Sequence, residues 1–132
     1  MKYFTIEELC QSDIATAQKI ANKPTGEQAD NMVKLIERVL DPLREAWGKP
    51  IIVNSGFRSA ALNHAVGGAP NSEHRFGKAA DITTGTKGGN KQLFELAKKL
   101  NLPFRQLIDE KQFAWVHISY DENDIKRQVL SL

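Results

Sequence analysis

With 132 residues, 41% of them apolar and 26% charged, the chain fits one compact domain and has no disordered composition. Its formal charge of +2 comes without the clustered Lys and Arg of a nucleic-acid footprint, so no nucleic-acid partner is expected. No apolar run approaches the ~20 residues of a membrane span, and Cys10 as sole cysteine excludes an intrachain disulfide and a cysteine-based zinc cluster.

The opening "MKYFTIEELC" lacks the apolar core and small-residue cleavage site of a secretory signal. The expectation is synthesis in the cytoplasm, with action outside a membrane only if something carries the product there. "TIEE", Thr5 to Glu8, has the capping-box pattern and predicts a short helix. Ser12 predicts the cap of a second one running to about Ile20. "TGEQ", Thr25 to Gln28, repeats the box before the strongest helical signal. There Ala29, Met32, Val33, Ile36, Val39, Leu40 and Leu43 recur at i, i+3, i+4 and i+7 as one apolar stripe. Pro42 is expected to bend or break that helix, and Gly48–Lys49–Pro50 to end it.

"IIVNSG", residues 51–56, is β-branched and then punctuated, so a buried strand is expected. "SAALNHAV" reads as a short helix closed by Gly67 and Gly68, and "AADIT", Ala79 to Thr83, as a strand followed by a loop with Gly85, Gly88 and Gly89. Asn90 is the expected cap of a helix holding Leu93, Phe94, Ala97 and Leu100. After Pro103, "FRQLIDE", "FAWVHISY" and "KRQVL" suggest an antiparallel meander. Helices before and between, with strands mostly late, make a single α+β domain over 1–132: a small antiparallel sheet with packed helices.

Strand alternation sorts the chemistry. Val116 and Ile118 point one way, toward a core; Trp115, His117 and Ser119 point the other, an indole, an imidazole and a hydroxyl on one face. Ala80 and Ile82 likewise oppose Ala79, Asp81 and Thr83. A carboxylate within a small buried strand is costly unless paired or bound to a cation. Taken alone, Asp81 fits an ion pair with Lys78, His117 a hydrogen-bonded structural histidine, and His64 an exposed helical one. Taken together, His74, Asp81 and His117 are a complete three-ligand set for catalytic zinc, leaving a fourth position for water. Gly77 lets the chain turn from loop into strand without crowding the ion.

The pattern "SGFRS…LN.AVGG…SEH..G.AADI…WVHISY" resembles the M15 family of zinc D-alanyl-D-alanine peptidases, in particular its small phage- and prophage-associated branch, on the hedgehog/DD-peptidase fold. The likeness runs from "FTIEEL" through "KRQVL". It implies Zn2+ on His74, Asp81 and His117, with Arg58 and Ser72 on the substrate side, and Arg58 binding or polarising the substrate carbonyl. The implied substrate is a peptidoglycan stem peptide; the implied reaction, hydrolysis as a carboxypeptidase or an endolysin-type endopeptidase. The alternative is a non-catalytic zinc-stabilised binding or phage structural module on the same fold.

The family also has an acid shortly before the last ligand as general base. Here "LIDEKQFAWVHIS" offers Asp109 and Glu110, with a run to the histidine about two residues longer than usual. If Lys111 to Ala114 form a four-residue loop, Glu110 faces Trp115 and shares the face of His117, two residues along. Asp109 would face Val116 on the core side, so Glu110 is the expected base.

Overall fold

The computed structural model describes all residues, 1–132. Three short segments open the chain. Helix α1 (Ile6–Cys10) is capped by the Thr5 hydroxyl, α2 (Asp13–Gln18) by Ser12, and α3 (Gly26–Leu35) by a complete box in which Thr25 and Gln28 bond each other's backbone. The apolar stripe then continues without a break through a π turn (Ile36–Leu40) into α4 (Asp41–Trp47). The expected disruption at Pro42 is therefore a local widening of the helix. Proline has no N–H and its ring clashes with the carbonyl of residue i−4. One wide turn just before it, with the Asp41 N–H reaching back to the Ile36 carbonyl, absorbs the misfit and leaves Pro42 in the first turn of α4.

Five strands follow, interleaved with helices: β1 (Ile52–Ser55), α5 (Ala60–Ala65), a 3-10 turn (Glu73–Phe76), β2 (Ala79–Thr83), α6 (Lys87–Lys99), β3 (Gln106–Glu110), β4 (Trp115–Ser119) and β5 (Gln128–Ser131). The sheet order is β1-β2-β4-β3-β5. Ala80, Ile82, Leu107, Val116 and Ile118 project from one face into a cluster with Met32, Leu35, Ile36, Val39, Leu40 and Leu43 of the long helix and Leu93, Phe94 and Ala97 of α6. The α+β architecture is as expected, and alternation correctly sorts core from site in β2 and β4.

Three expectations are corrected, the first being the buried strand expected at residues 51–56: β1 is an edge strand, and Ile52 on it is exposed. The last three strands are not an antiparallel meander, because β5 runs parallel to β3, pairing Gln106 with Gln128 and Ile108 with Leu130. Strand β4 is already flanked by β2 and β3, so the terminal strand has no free edge there. The chain crosses the end of the sheet, held by the Arg127 N–H on the Phe104 carbonyl (3.1 Å), and adds to the outer edge of β3. Nor does Asn90 cap α6: Thr86 does, its hydroxyl accepting from the Gly89 N–H at 3.0 Å. Gly88 and Gly89 thus lie inside the first turn, and the helix carries the buried Asn90 side chain against the sheet.

Candidate metal centre and catalytic site

Register across the sheet brings the first two candidate ligands together. Asp81 on β2 pairs with His117 at the middle of β4, and both point away from the core cluster. The third arrives on the 3-10 turn, whose N-cap is Ser72: its hydroxyl accepts the His74 N–H at 3.2 Å. The turn ends at Gly77, in the left-handed region with φ +73. A Cβ there would run into the Gln28 carbonyl of α3. Glycine is thus demanded by the helix behind the turn and by backbone sign, not by room for an ion as the sequence suggested.

His74, Asp81 and His117 are all buried, and one ligand atom from each lies within 4.8 Å of the others. His117 Nδ1 is 3.0 Å from Asp81 Oδ1, and His74 Nε2 is 3.3 Å from Asp81 Oδ2. Four ligands at zinc bond lengths of ~2.0–2.1 Å in a tetrahedron are spaced by roughly 3.3 Å, which the two histidine–Asp81 contacts match, and the donor set is one that suits zinc. Lys78, the alternative partner for Asp81, instead pairs with Asp121 at 3.1 Å. His64 is exposed on α5, away from the cluster.

Burial alone would raise the Asp81 carboxyl, but hydrogen bonds to His117 and His74, with their charges, hold it well below the usual carboxylate range. For His117 burial works downward, and Asp81 and Glu73 together outweigh it, pushing the imidazole up to about 9. Two carboxylates thus face His117, one at each ring nitrogen, and favour positive charge there.

Arg58 joins the cluster from the segment between β1 and α5. Its backbone N–H bonds the His74 carbonyl at 3.0 Å. The guanidinium donates from Nε to Ser55 Oγ (3.0 Å) and from one terminal nitrogen to Asn63 Oδ1 (3.2 Å), while the other lies 3.6 Å from Asp81 Oδ2. Asn63 is fixed in turn by donating to the Ala69 carbonyl at 2.8 Å. Arg58 also lines a cleft of about 380 Å³ whose walls include Asn54, Phe57, Leu62 and Val66. On the other flank, His117 opens onto a wider cleft of about 540 Å³ with Ser72, Glu73, Arg105 and Ile108 along it.

Register puts the two acids on opposite faces of the strand. Glu110 pairs with Trp115 and Asp109 with Val116, the arrangement expected of a four-residue connection through Lys111 to Ala114. Asp109 is buried, and its Oδ1 accepts the Phe113 N–H at 2.6 Å, so it braces the turn. Glu110 is half-buried on the face of His117, diagonal to it, since Ile108 is His117's direct partner.

Two residues of this site escape a reading of the sequence. Asn63 stands in the quoted "LN.AVGG" pattern, but nothing in that pattern assigns it to Arg58. Glu73 lies 3.3 Å from His117 Nε2 and is tied to Arg105 at 3.1 Å. It is the neighbour in sequence of one candidate ligand, His74, yet it contacts another, His117, 44 residues away. No spacing rule signals that.

The family model described as Peptidase M15 matches residues 2–119. The protein named zinc D-Ala-D-Ala carboxypeptidase from Streptomyces albus G is 42% identical over 88 residues, which is 64% of this chain and 32% of that protein. The chain thus spans about a third of the length of the curated relative it matches. With a match across nearly all of a domain whose buried His–Asp–His cluster fits a metal, the chain belongs to the peptidase M15 family.

Proposed function

We propose that the chain is a zinc-dependent peptidase that hydrolyses a peptide bond in peptidoglycan stem peptides, with His74, Asp81 and His117 as the metal ligands. The observation that carries the reading is the buried triad of two imidazoles and a carboxylate, with His117 opening onto one cleft and Arg58, beside Asp81, lining another. The name of the Streptomyces relative, a zinc carboxypeptidase acting on D-Ala-D-Ala, supports the substrate class.

Zinc bound to such a set supplies Lewis acidity, polarising a peptide carbonyl and lowering the pKa of water toward neutrality. The chain's own groups do the rest. Glu110 takes a proton from the attacking water and returns it to the departing amine as the C–N bond breaks, leaving a carboxylic acid and an amine. Arg58, braced by Ser55 and Asn63, holds the substrate or the oxyanion that develops on the carbonyl oxygen. Ser72, on the rim of the wider cleft, contacts the substrate's backbone while keeping the His74 turn capped.

The test is to incubate the protein, with zinc and after chelation, with defined muropeptides and to identify products by mass. Zinc-dependent release of a terminal D-alanine marks a carboxypeptidase; two larger fragments mark an endopeptidase. Intact muropeptides in the presence of bound zinc would instead favour a binding module.

A further inference from the structure

We infer that Glu73 is a positioning residue for the metal centre: its carboxylate accepts the Nε2 proton of His117 and so leaves Nδ1 as the ligand atom. The inference rests on the metal-site reading above. A neutral imidazole carries one N–H and one lone pair, and which nitrogen has which is set by the partner of the other. His117 Nδ1 faces Asp81, and with it the side shared with His74, while Nε2 faces away toward Glu73 Oε1 at 3.3 Å. Both carboxylates are acceptor-only, so without an ion each ring nitrogen facing one carries hydrogen; an ion shared by Nδ1 and Asp81 would take the place of that proton and leave the remaining one on Nε2, against Glu73.

Glu73 is not free to turn elsewhere. Its second oxygen, Oε2, accepts from Arg105 at 3.1 Å, and the Arg105 Nε donates to Asp124 Oδ2 at 2.8 Å. The 3-10 turn explains how neighbours serve different ends. With about 3 residues per turn, successive side chains diverge by roughly 120°. His74 therefore enters the centre directly while Glu73 passes to the far side of the His117 ring. His74 has a counterpart device, since its Nδ1 lies 2.7 Å from the Gly56 carbonyl, which leaves Nε2 toward Asp81. The two histidines are thus set in opposite tautomers, one by a backbone carbonyl and one by a carboxylate anchored on two further side chains. Partners of this kind behind a metal-bound imidazole fix its orientation and raise its basicity.

The test uses the full chain and two readouts besides activity. The first is zinc affinity by competition with a chelating indicator; the second is an imidazole ¹H–¹⁵N correlation of the zinc-loaded protein. In the wild type the His117 proton should sit on Nε2 and the His74 proton on Nδ1. E73A should weaken zinc binding by about 10–100-fold, with the His117 Nε2 proton lost to exchange. E73Q, whose amide oxygen still accepts, should recover most of the affinity, and R105A should show a smaller loss because it frees the Glu73 carboxylate. Zinc binding by E73A within about twofold of the wild type, or a His117 proton on Nδ1, overturns the inference. Should E73A fail to fold, unchanged affinity and unchanged tautomer signals in both E73Q and R105A overturn it equally. A wild-type chain that takes up no zinc overturns the metal-site reading, and this inference with it. Zinc-binding wild type with indifferent variants overturns this inference alone.

Discussion

Asp81 is approached from three sides, by His117 at 3.0 Å, His74 at 3.3 Å and Arg58 at 3.6 Å, while largely excluded from water. Such a carboxylate stays ionised and has one evident use, to share a cation with the two imidazoles. His74→Ala and His117→Ala should therefore each abolish stoichiometric zinc uptake in elemental analysis, and His64→Ala should leave it intact. A zinc-replete His117→Ala protein would remove that residue from the ligand set. Glu110→Gln should keep the metal but lower kcat by ~10²–10⁴-fold, because the amide preserves shape and cannot take a proton. Asp109→Asn should act differently: its amide oxygen still accepts the Phe113 N–H that braces the turn, so activity and stability should stay near wild type, while Asp109→Ala should lower the melting temperature. If Asp109→Asn is instead the metal-loaded, inactive, fully stable variant, the base is assigned to the wrong acid. Arg58→Lys should retain fold and zinc yet lose kcat/KM, since an ammonium cannot reach Ser55, Asn63 and the substrate as the planar fork does. Full hydrolytic activity in that variant would take Arg58 out of the site.

At the scale of elements, the face assignments of β2 and β4 were legible because one residue in two is apolar there and the other small or polar. That period alone separates Ile82 from Asp81 and Val116 from His117. What the sequence could not show is set by partners far along the chain. The parallel placement of β5 follows from which sheet edges are already taken. The role of Asn90 likewise depends on a turn more than twenty residues on: its Nδ2 bonds the Phe113 carbonyl at 2.9 Å, and its Oδ1 accepts the Thr84 N–H at 2.7 Å. Asn and Gly near a helix start usually signal a cap, and here Thr86 had already filled that place. Asn90→Ala should cost about 1–3 kcal/mol, since it strands buried backbone groups at both ends of its bridge. It should also reduce kcat, because the connection it braces sets the register of Glu110 against Trp115. Unfolding in denaturant together with turnover of a muropeptide would check both; a stable, fully active variant would show that the turn holds itself.

On the scale of the whole molecule the proposed ligands are a cross-link. His74 comes from the 3-10 turn, Asp81 from β2 and His117 from β4, and Arg58 ties the β1–α5 segment to the same carboxylate. An ion held by all three ligands binds the folded chain and not the unfolded one, so zinc should stabilise by mass action, about 2.7 kcal/mol at 100 times its Kd. For a domain of this size that is a rise in Tm on the order of 10 °C. Chelation should reverse it, and magnesium, which prefers an octahedral oxygen shell, should not reproduce it. The variants divide by chemical role. His117→Ala should show no zinc-dependent rise, because one arm of the cross-link is gone. Glu110→Gln should show the full rise while remaining inactive, since the proposed base acts on water and holds no metal. Loss of the rise in Glu110→Gln would make Glu110 a ligand, and then the proton must be taken by another group.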